Sequence, residues 1–350
     1  MPAPAVSRPM SRTAVRLALL LLLALAAFAA DLLWGNVHIE AAEIGKALLG
    51  RQDDLILREI ILGYRLPKAA AAFLCGGALA LAGLLMQTLF RNPLAGPDVL
   101  GVSAGATLGV ALLTMGGTAL LPLLTGSAAD LFRMCLLSGW GQSLAAIVGA
   151  VLVMLLVGFA ALRVPQVTTL LIIGLMASYF ISAAVSVLQS ISSPDTLKLF
   201  TSWTFGSLSS VGGRQLRILV PLVLVGALPV FFLAKALNLL QLGERRASAL
   251  GVRVRRTHYA VILCASLLTG AVTAFAGPVA FLGVTMPHIA RGLFLTPDHR
   301  TLLPASFLCG SITLLLCDLL AQLPPQPLPL NAVTALFGAP ILVYILLKKP

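Results

Sequence analysis

The chain has 350 residues, of which 59% are hydrophobic and only 10% charged, with a formal net charge of +12. Its mean hydropathy is +1.00. A soluble domain carries about 25% charged residues and must keep its outer face wet, so this composition excludes a soluble globular protein and implies one dissolved in lipid.

Apolar runs recur along the chain, among them Leu17–Leu33, Leu144–Leu162, Leu216–Leu233 and Leu302–Leu320. Each approaches the roughly 20 residues that a helix needs to cross a bilayer, and about ten such spans are predicted. A membrane β-barrel would show short alternating segments instead. The expectation is therefore an all-α polytopic membrane protein, with residues 1–350 forming a single transmembrane domain.

Basic residues do not form one nucleic-acid-binding surface. They fall in short clusters between apolar runs: Arg8/Arg12/Arg16, Arg245/Arg246/Arg253/Arg255/Arg256, Arg291/Arg300 and Lys348/Lys349. Positive loops face the cytoplasm, which predicts a cytoplasmic segment 1–16 and both termini inside. The start also has the basic, then apolar, then small-residue pattern of a signal peptide, ending at Ala29–Ala30. With so many later spans, an uncleaved first helix is expected.

Between the first two spans, residues 35–64 carry Glu40, Glu43, Asp53, Asp54 and Glu59, enough polarity for a short surface helix on the opposite side. In the second span, Ala72, Gly76, Ala80 and Gly83 share one helical face, where a neighbouring backbone can approach closely. Then comes RNPLAGPDVLGVSAGA, residues 91–106. Asn92 to Pro97 cannot be regular helix. Irregular backbone at membrane depth is tolerated only when buried in protein or lining a water-filled cavity, which favours a pathway over a plain anchor. Gly101, Gly105 and Gly109 recur at every fourth position and predict tight helix packing. Residues 192–213 read as a polar outer loop with a short helix near 197–205. FAGPVAFLGVTMPHIAR, 275–291, reads as a short or broken helix because of Gly277-Pro278 and Pro287, and residues 323–332 as a proline-rich turn.

Chemical motifs are sparse. Gly45-Lys46 lacks the rest of a P-loop, and neither HExxH nor a nucleophile elbow is present. Cys75, Cys135, Cys264, Cys309 and Cys317 show no metal or redox spacing and read as packing residues, as do Met86, Met176 and Met286. His288, beside the break at Pro287, reads as a local hydrogen-bonding residue rather than a ligand. Asp318 is the one acid deep in an apolar run. It is a candidate proton or ion site, or a structural group bonded to a neighbouring helix. Residues 240–256 are the most charged stretch, with Gly243 and Gly251 bracketing a short helix that starts at Glu244. This is either ordinary positive-inside charge or a docking segment for a cytoplasmic partner.

RLPK (65–68), GGALALAGLLMQ (76–87), RNPLAGPDVLGVSAGA (91–106), LGERRASALGV (242–252), GPVAFLGVTMPHIAR (277–291), DHRTLLP (298–304) and LPLNAVTALFGAPILVYILL (328–347) together resemble the FecCD family, permease subunits of ABC importers for iron–siderophore complexes, haem and cobalamin. The resemblance runs in order from Arg65 to the C-terminus. It implies the type II ABC importer architecture: ten spanning helices per subunit, a homo- or heterodimer of permeases, two cytoplasmic ATPase subunits that hold ATP and Mg, and a periplasmic binding protein. No cofactor is expected on this chain. Leu242, Gly243, Glu244, Ala247, Leu250 and Gly251 look like the segment that couples to the ATPase. Arg65 and Lys68 look like outer residues that meet the binding protein, although an arginine of the family appears here as Gln322. Val167 and Thr168 match the inner gate, and Asn92, Pro93, Gly101, Gly105, Pro287, His288 and Asp318 fall in the structural motifs. The resemblance thus implies alternating-access import of a metal chelate, foremost an iron(III)–siderophore, with haem or cobalamin as alternatives. Without it, an ion-coupled carrier using Asp318 competes, whereas a membrane enzyme finds no paired acids or His/Asp cluster to work with.

Overall fold

The computed structural model describes residues 12–35, 39–117, 139–164 and 166–347, and all regular structure among them is helical. The first span is α1 (Arg12–Leu33), followed by the short surface helices α2 (Ala41–Leu48) and α3 (Leu55–Arg58). A π-helical turn, Glu59–Arg65, runs straight into α4 (Leu66–Phe90). Pro67 has no N–H to give the preceding turn, and a wider turn upstream accommodates its ring. Next come α5 (Val102–Ala111), extended by a π turn to Gly116, then α6 (Gly139–Arg163) and α7 (Val167–Ser190). The expected surface helix is α8 (Pro194–Thr204), and α9 (Gly213–Phe232) follows. Two short helices, α10 (Ala234–Gln241) and α11 (Glu244–Ala249), precede α12 (Val254–Ala276). The chain ends with α13 (Leu282–Phe294), α14 (His299–Ala321) and α15 (Leu330–Leu347).

Seven helical units are long and apolar enough to cross a membrane, and Val102–Gly116 and Leu330–Tyr344 are shorter apolar helices. With these two and the shorter α13, the described residues pack into one helical bundle. One end, here the near end, carries the start of α1, Arg91, the α6–α7 turn and α10–α11. There Arg16 donates to the Leu293 carbonyl at 2.9 Å, and Arg255 to that of Leu162 at 2.8 Å. The far end carries α2, α3 and α8.

Helix α4 sits at the centre, buried along nearly its whole length. It is apolar on every side, and a helix of that kind has to be covered by others. Its small residues let neighbours in to backbone distance. A methyl group at Gly76 would overlap the Gly310 carbonyl of α14, and one at Gly83 the Gly283 carbonyl of α13. Gly105 and Gly109 of α5 meet Gly149 and Ala145 of α6 in the same way. Gly101 departs from the expected stripe. It lies outside the helix, at φ +75°, and its Cα abuts Gly174 and Ser178 of α7. By contrast α1, α7 and α9 turn large side chains such as Leu22, Phe180 and Val225 outward, as lipid- or partner-facing helices do.

Candidate functional site

In the irregular stretch at Asn92–Pro97, Asn92, Pro93 and Leu94 are exposed at the near end, and Ala95, Gly96 and Pro97 are buried. A side-chain cap from Asn92 Oδ1 to Leu94 N (2.9 Å) starts the turn, and Arg91 ends α4 in the left-handed region at φ 46°. The stretch lies against α13: Pro97 touches Gly283, and His288 Nε2 lies 2.8 Å from the Pro93 carbonyl. A carbonyl can only accept, so Nε2 carries the proton and His288 has the local bonding role expected of it. Gln87 of α4 completes the joint by donating to the Val284 carbonyl at 2.9 Å and accepting from Arg291 at 2.6 Å. Pro287 lies inside α13 and does not break it; the break is at Gly277–Phe281, with Phe281 left-handed at φ 63°.

At the near end, α11 is the short glycine-bracketed helix read from the sequence. Gly243 (φ +109°) and Gly251 (φ +86°) have open space where a Cβ would be, so backbone sign alone selects glycine there. Ala247 is the buried residue of α11, while Leu242 and Leu250 are more than half exposed at its two ends. Glu244, on the first turn, lies 3.9 Å from His258 of α12 and borders a cavity of about 510 Å³ lined also by Val164, Gln166, Arg255 and Tyr259. Thr168 is exposed at the start of α7 close by, and the side chain of Val167 lies outside the described residues. Beneath α11, Asn238 of α10 donates to Asp298 Oδ1 at 2.5 Å, and its own Oδ1 lies 2.8 Å from His299 N and from His299 Nδ1. The bond from Asn238, followed by the one from the Arg300 N–H, holds the Asp298 carboxyl below the ordinary aspartate range. His299 is fully buried, and its Nε2 lies 2.8 Å from Thr88 Oγ1 of α4.

At the far end, Lys68 Nζ lies 2.8 Å from Asp318 Oδ2 and 3.8 Å from Asp31 Oδ1. Gln322 Nε2 bridges the two acids, 2.7 Å from Asp318 Oδ2 and 3.5 Å from Asp31 Oδ1. Arg65 caps the end of α1 by donating to the Leu32 and Leu33 carbonyls at 3.3 and 3.0 Å. Arg65 and Lys68 are the two residues expected to meet the binding protein. They are 4% and 3% exposed, and their charged ends serve α1 and α14 of the same chain. Asp318 is tied to α4 through Lys68, with Gln322 on its other side.

Sequence reasoning missed Thr88, Asn238 and His299, and it missed Asp31 because that acid ends a leucine-rich run and passes for an interfacial residue. An acid near the end of the first span and a lysine at the start of the second were the available signal. Among the described residues, no group of three or more His, Cys, Asp or Glu is placed to hold a metal ion.

The family model of the FecCD transport family matches residues 20–348. The ferric enterobactin transport system permease protein FepD of Escherichia coli is 36% identical over 337 residues, covering 94% of each chain. The hemin transport system permease protein HmuU of Yersinia pestis is 34% identical and covers 83% of this chain and 84% of its own. The vitamin B12 import system permease protein BtuC of Salmonella typhi is 35% identical, with 81% and 82% covered. A solved structure described as an inward-facing conformation of a metal-chelate type ABC transporter superposes with a TM-score of 0.80 at 28% identity, over 95% of this chain and 99% of that one.

Proposed function

This chain belongs to the FecCD transport family, and from that premise we propose that it is the permease through which an ABC importer carries an iron(III)–siderophore into the cytoplasm. The near end is cytoplasmic, as its arginines require, so both termini lie inside, in the cytoplasmic membrane. A second permease subunit completes the pathway. ATP and Mg are handled by ATPase subunits, and a periplasmic binding protein delivers the chelate. Chelate movement needs no covalent chemistry from this chain.

The observation that carries this reading is α11. A helix of six residues, held by Ala247, presents Leu242 and Leu250 with Arg245 and Arg246 at the tip of the bundle. Exposed leucines next to cations on the cytoplasmic side form a contact surface for a soluble partner, and the chain ahead and behind leads directly into α10 and α12. Thr168, exposed at the start of α7, serves with Val167 as the inner gate in this reading.

Uptake by cells lacking the gene tests the reading, with ferric enterobactin, hemin and cyanocobalamin offered side by side. Loss of ferric enterobactin uptake alone supports the siderophore assignment. Loss of hemin or cyanocobalamin uptake alone moves the assignment to that cargo. Uptake that persists when the ATPase subunits are removed, and collapses when the ion gradient does, overturns the ABC reading.

A further inference from the structure

We propose that His299 is the positioning residue that passes movement of the coupling segment into the central helix α4, an inference that rests on the permease reading above. The chain itself links α11 only to α10 and α12. Helices α4 and α14 carry most of the buried packing, yet they have no covalent neighbour in the coupling segment. Force from a partner on α11 must reach them through contacts.

The contact is a three-helix joint. Asn238 is fixed from one side, since its amide N–H donates to Asp298 Oδ1 at 2.5 Å. Its carbonyl oxygen therefore faces His299 and accepts there from the backbone N–H and from Nδ1, each at 2.8 Å. Nδ1 must then carry the ring proton, because two acceptors do not bond. Nε2 then faces the Thr88 hydroxyl at 2.8 Å, whose single proton is shared with the Leu84 carbonyl, also 2.8 Å away. Gln241, one helical turn after Asn238, donates to the Pro297 carbonyl at 3.2 Å and closes the corner from the coupling side.

The His299 ring sits between Asn238, Gln241 and Thr88, with Gln241 Nε2 3.2 Å from Nδ1. His299 is fully buried and Thr88 is 6% exposed. Asn238 and Asp298 are half-buried but the His299 ring is fully buried, so α10 cannot shift while His299 stays behind without leaving a buried imidazole nitrogen unpaired. The imidazole is a rigid strut between α10 and α4. Thr88 lies one turn before Arg91, so a displacement at Thr88 is delivered to the start of the irregular stretch that packs on α13. That stretch in turn touches α7 at Gly101. The path from the coupling segment to α7 is thus continuous: α11, α10, His299, α4, residues 92–101, α7.

The test uses the transporter assembled with its ATPase subunits in nanodiscs, with hydrogen–deuterium exchange compared without nucleotide and with ATP plus vanadate. In the wild type, nucleotide changes exchange in residues 234–253 and in 84–101. In Thr88→Val the change at 234–253 persists, and that at 84–101 falls about three-fold or more. Thr88→Ser, which returns the hydroxyl, restores it. Asn238→Ser breaks the joint from the α10 side and must give the same split, so either variant decides the matter if the other fails to assemble. An undiminished response at 84–101 in the assembled variant overturns the inference and leaves the permease reading intact. A loss at both regions overturns it as well, since a merely structural residue would do that. A wild type that binds no ATPase, or that shows no nucleotide response anywhere, removes the permease reading and this inference with it.

Discussion

Replacing Lys68 with methionine removes the cation from a buried set of four charges. Lys68 lies 2.8 Å from Asp318 and is 3% exposed, and Asp31 is fully buried. Arg65, which acts electrostatically on Asp31, is the other cation of the set. The substitution leaves two carboxylates facing one guanidinium that is already committed to the end of α1. Stranding a buried charge costs about 3–5 kcal/mol. Removing both partners is different. Lys68→Met combined with Asp318→Leu leaves Arg65 and Asp31, a balanced pair, and apolar replacement of a buried ion pair is often neutral or better by about 1–4 kcal/mol. The double variant is therefore expected within about 1 kcal/mol of the wild type, although each single variant is well below it. Unfolding by SDS in mixed micelles, followed by loss of helicity, reads these differences. Additive single effects, or a Lys68→Met variant as stable as the wild type, would refute the account of the cluster as one charge-balanced unit.

Three further outcomes are expected. Gly283→Ala places a methyl group against Pro97 and the Leu79 carbonyl, and overpacking of this kind costs about 1–3 kcal/mol; the same SDS titration measures it, and a neutral result would show that α13 yields freely. Ala247→Glu pushes a charge into the buried side of α11, so the ATPase subunits should no longer co-purify while the chain still elutes as a folded protein; retained ATPase would count against α11 as the docking element. Glu43 is held below the ordinary glutamate range by hydrogen bonds from Lys46 first and Gln52 second. A lowered folded pKa stabilises above the unfolded value, and that contribution is lost as pH falls through the folded one. Lys46→Ala should raise the Glu43 midpoint in a carbon NMR titration, and more so at low salt; an unmoved midpoint would remove the bond as the cause.

The sequence made legible whatever depends on backbone and period. Gly76 and Gly83 on one face of α4 predict close neighbours, and they find Gly310 and Gly283. Gly243 and Gly251 mark α11 because a left-handed residue ends a helix wherever it falls. Asp318 was visible as an anomaly, since a lone acid in a leucine run needs a partner. Its partner was not visible, because Lys68 is 250 positions away and a lysine at the start of a span reads by default as an interfacial cation. The burial of Arg65 and Lys68 was hidden for that reason: sequence gives charge, and burial arises only once α1, α4 and α14 meet. His299 was hidden in the same way, in a polar turn whose role depends on Asn238 and Thr88 arriving from two other helices.

The glycine contacts of α4 and of the α5–α6 pair have a mechanical consequence. Where side chains interdigitate, one helix cannot move along another without lifting knobs out of holes. Where Gly76 faces Gly310, Gly83 faces Gly283 and Gly105 faces Gly149, there are no knobs to lift. The surfaces in contact are smooth backbone, held at short range by dispersion and by carbonyl edges. Such a seam resists being pulled apart yet offers little friction to sliding, so the core of this bundle is built as a set of bearings, free to shear by small steps while staying sealed.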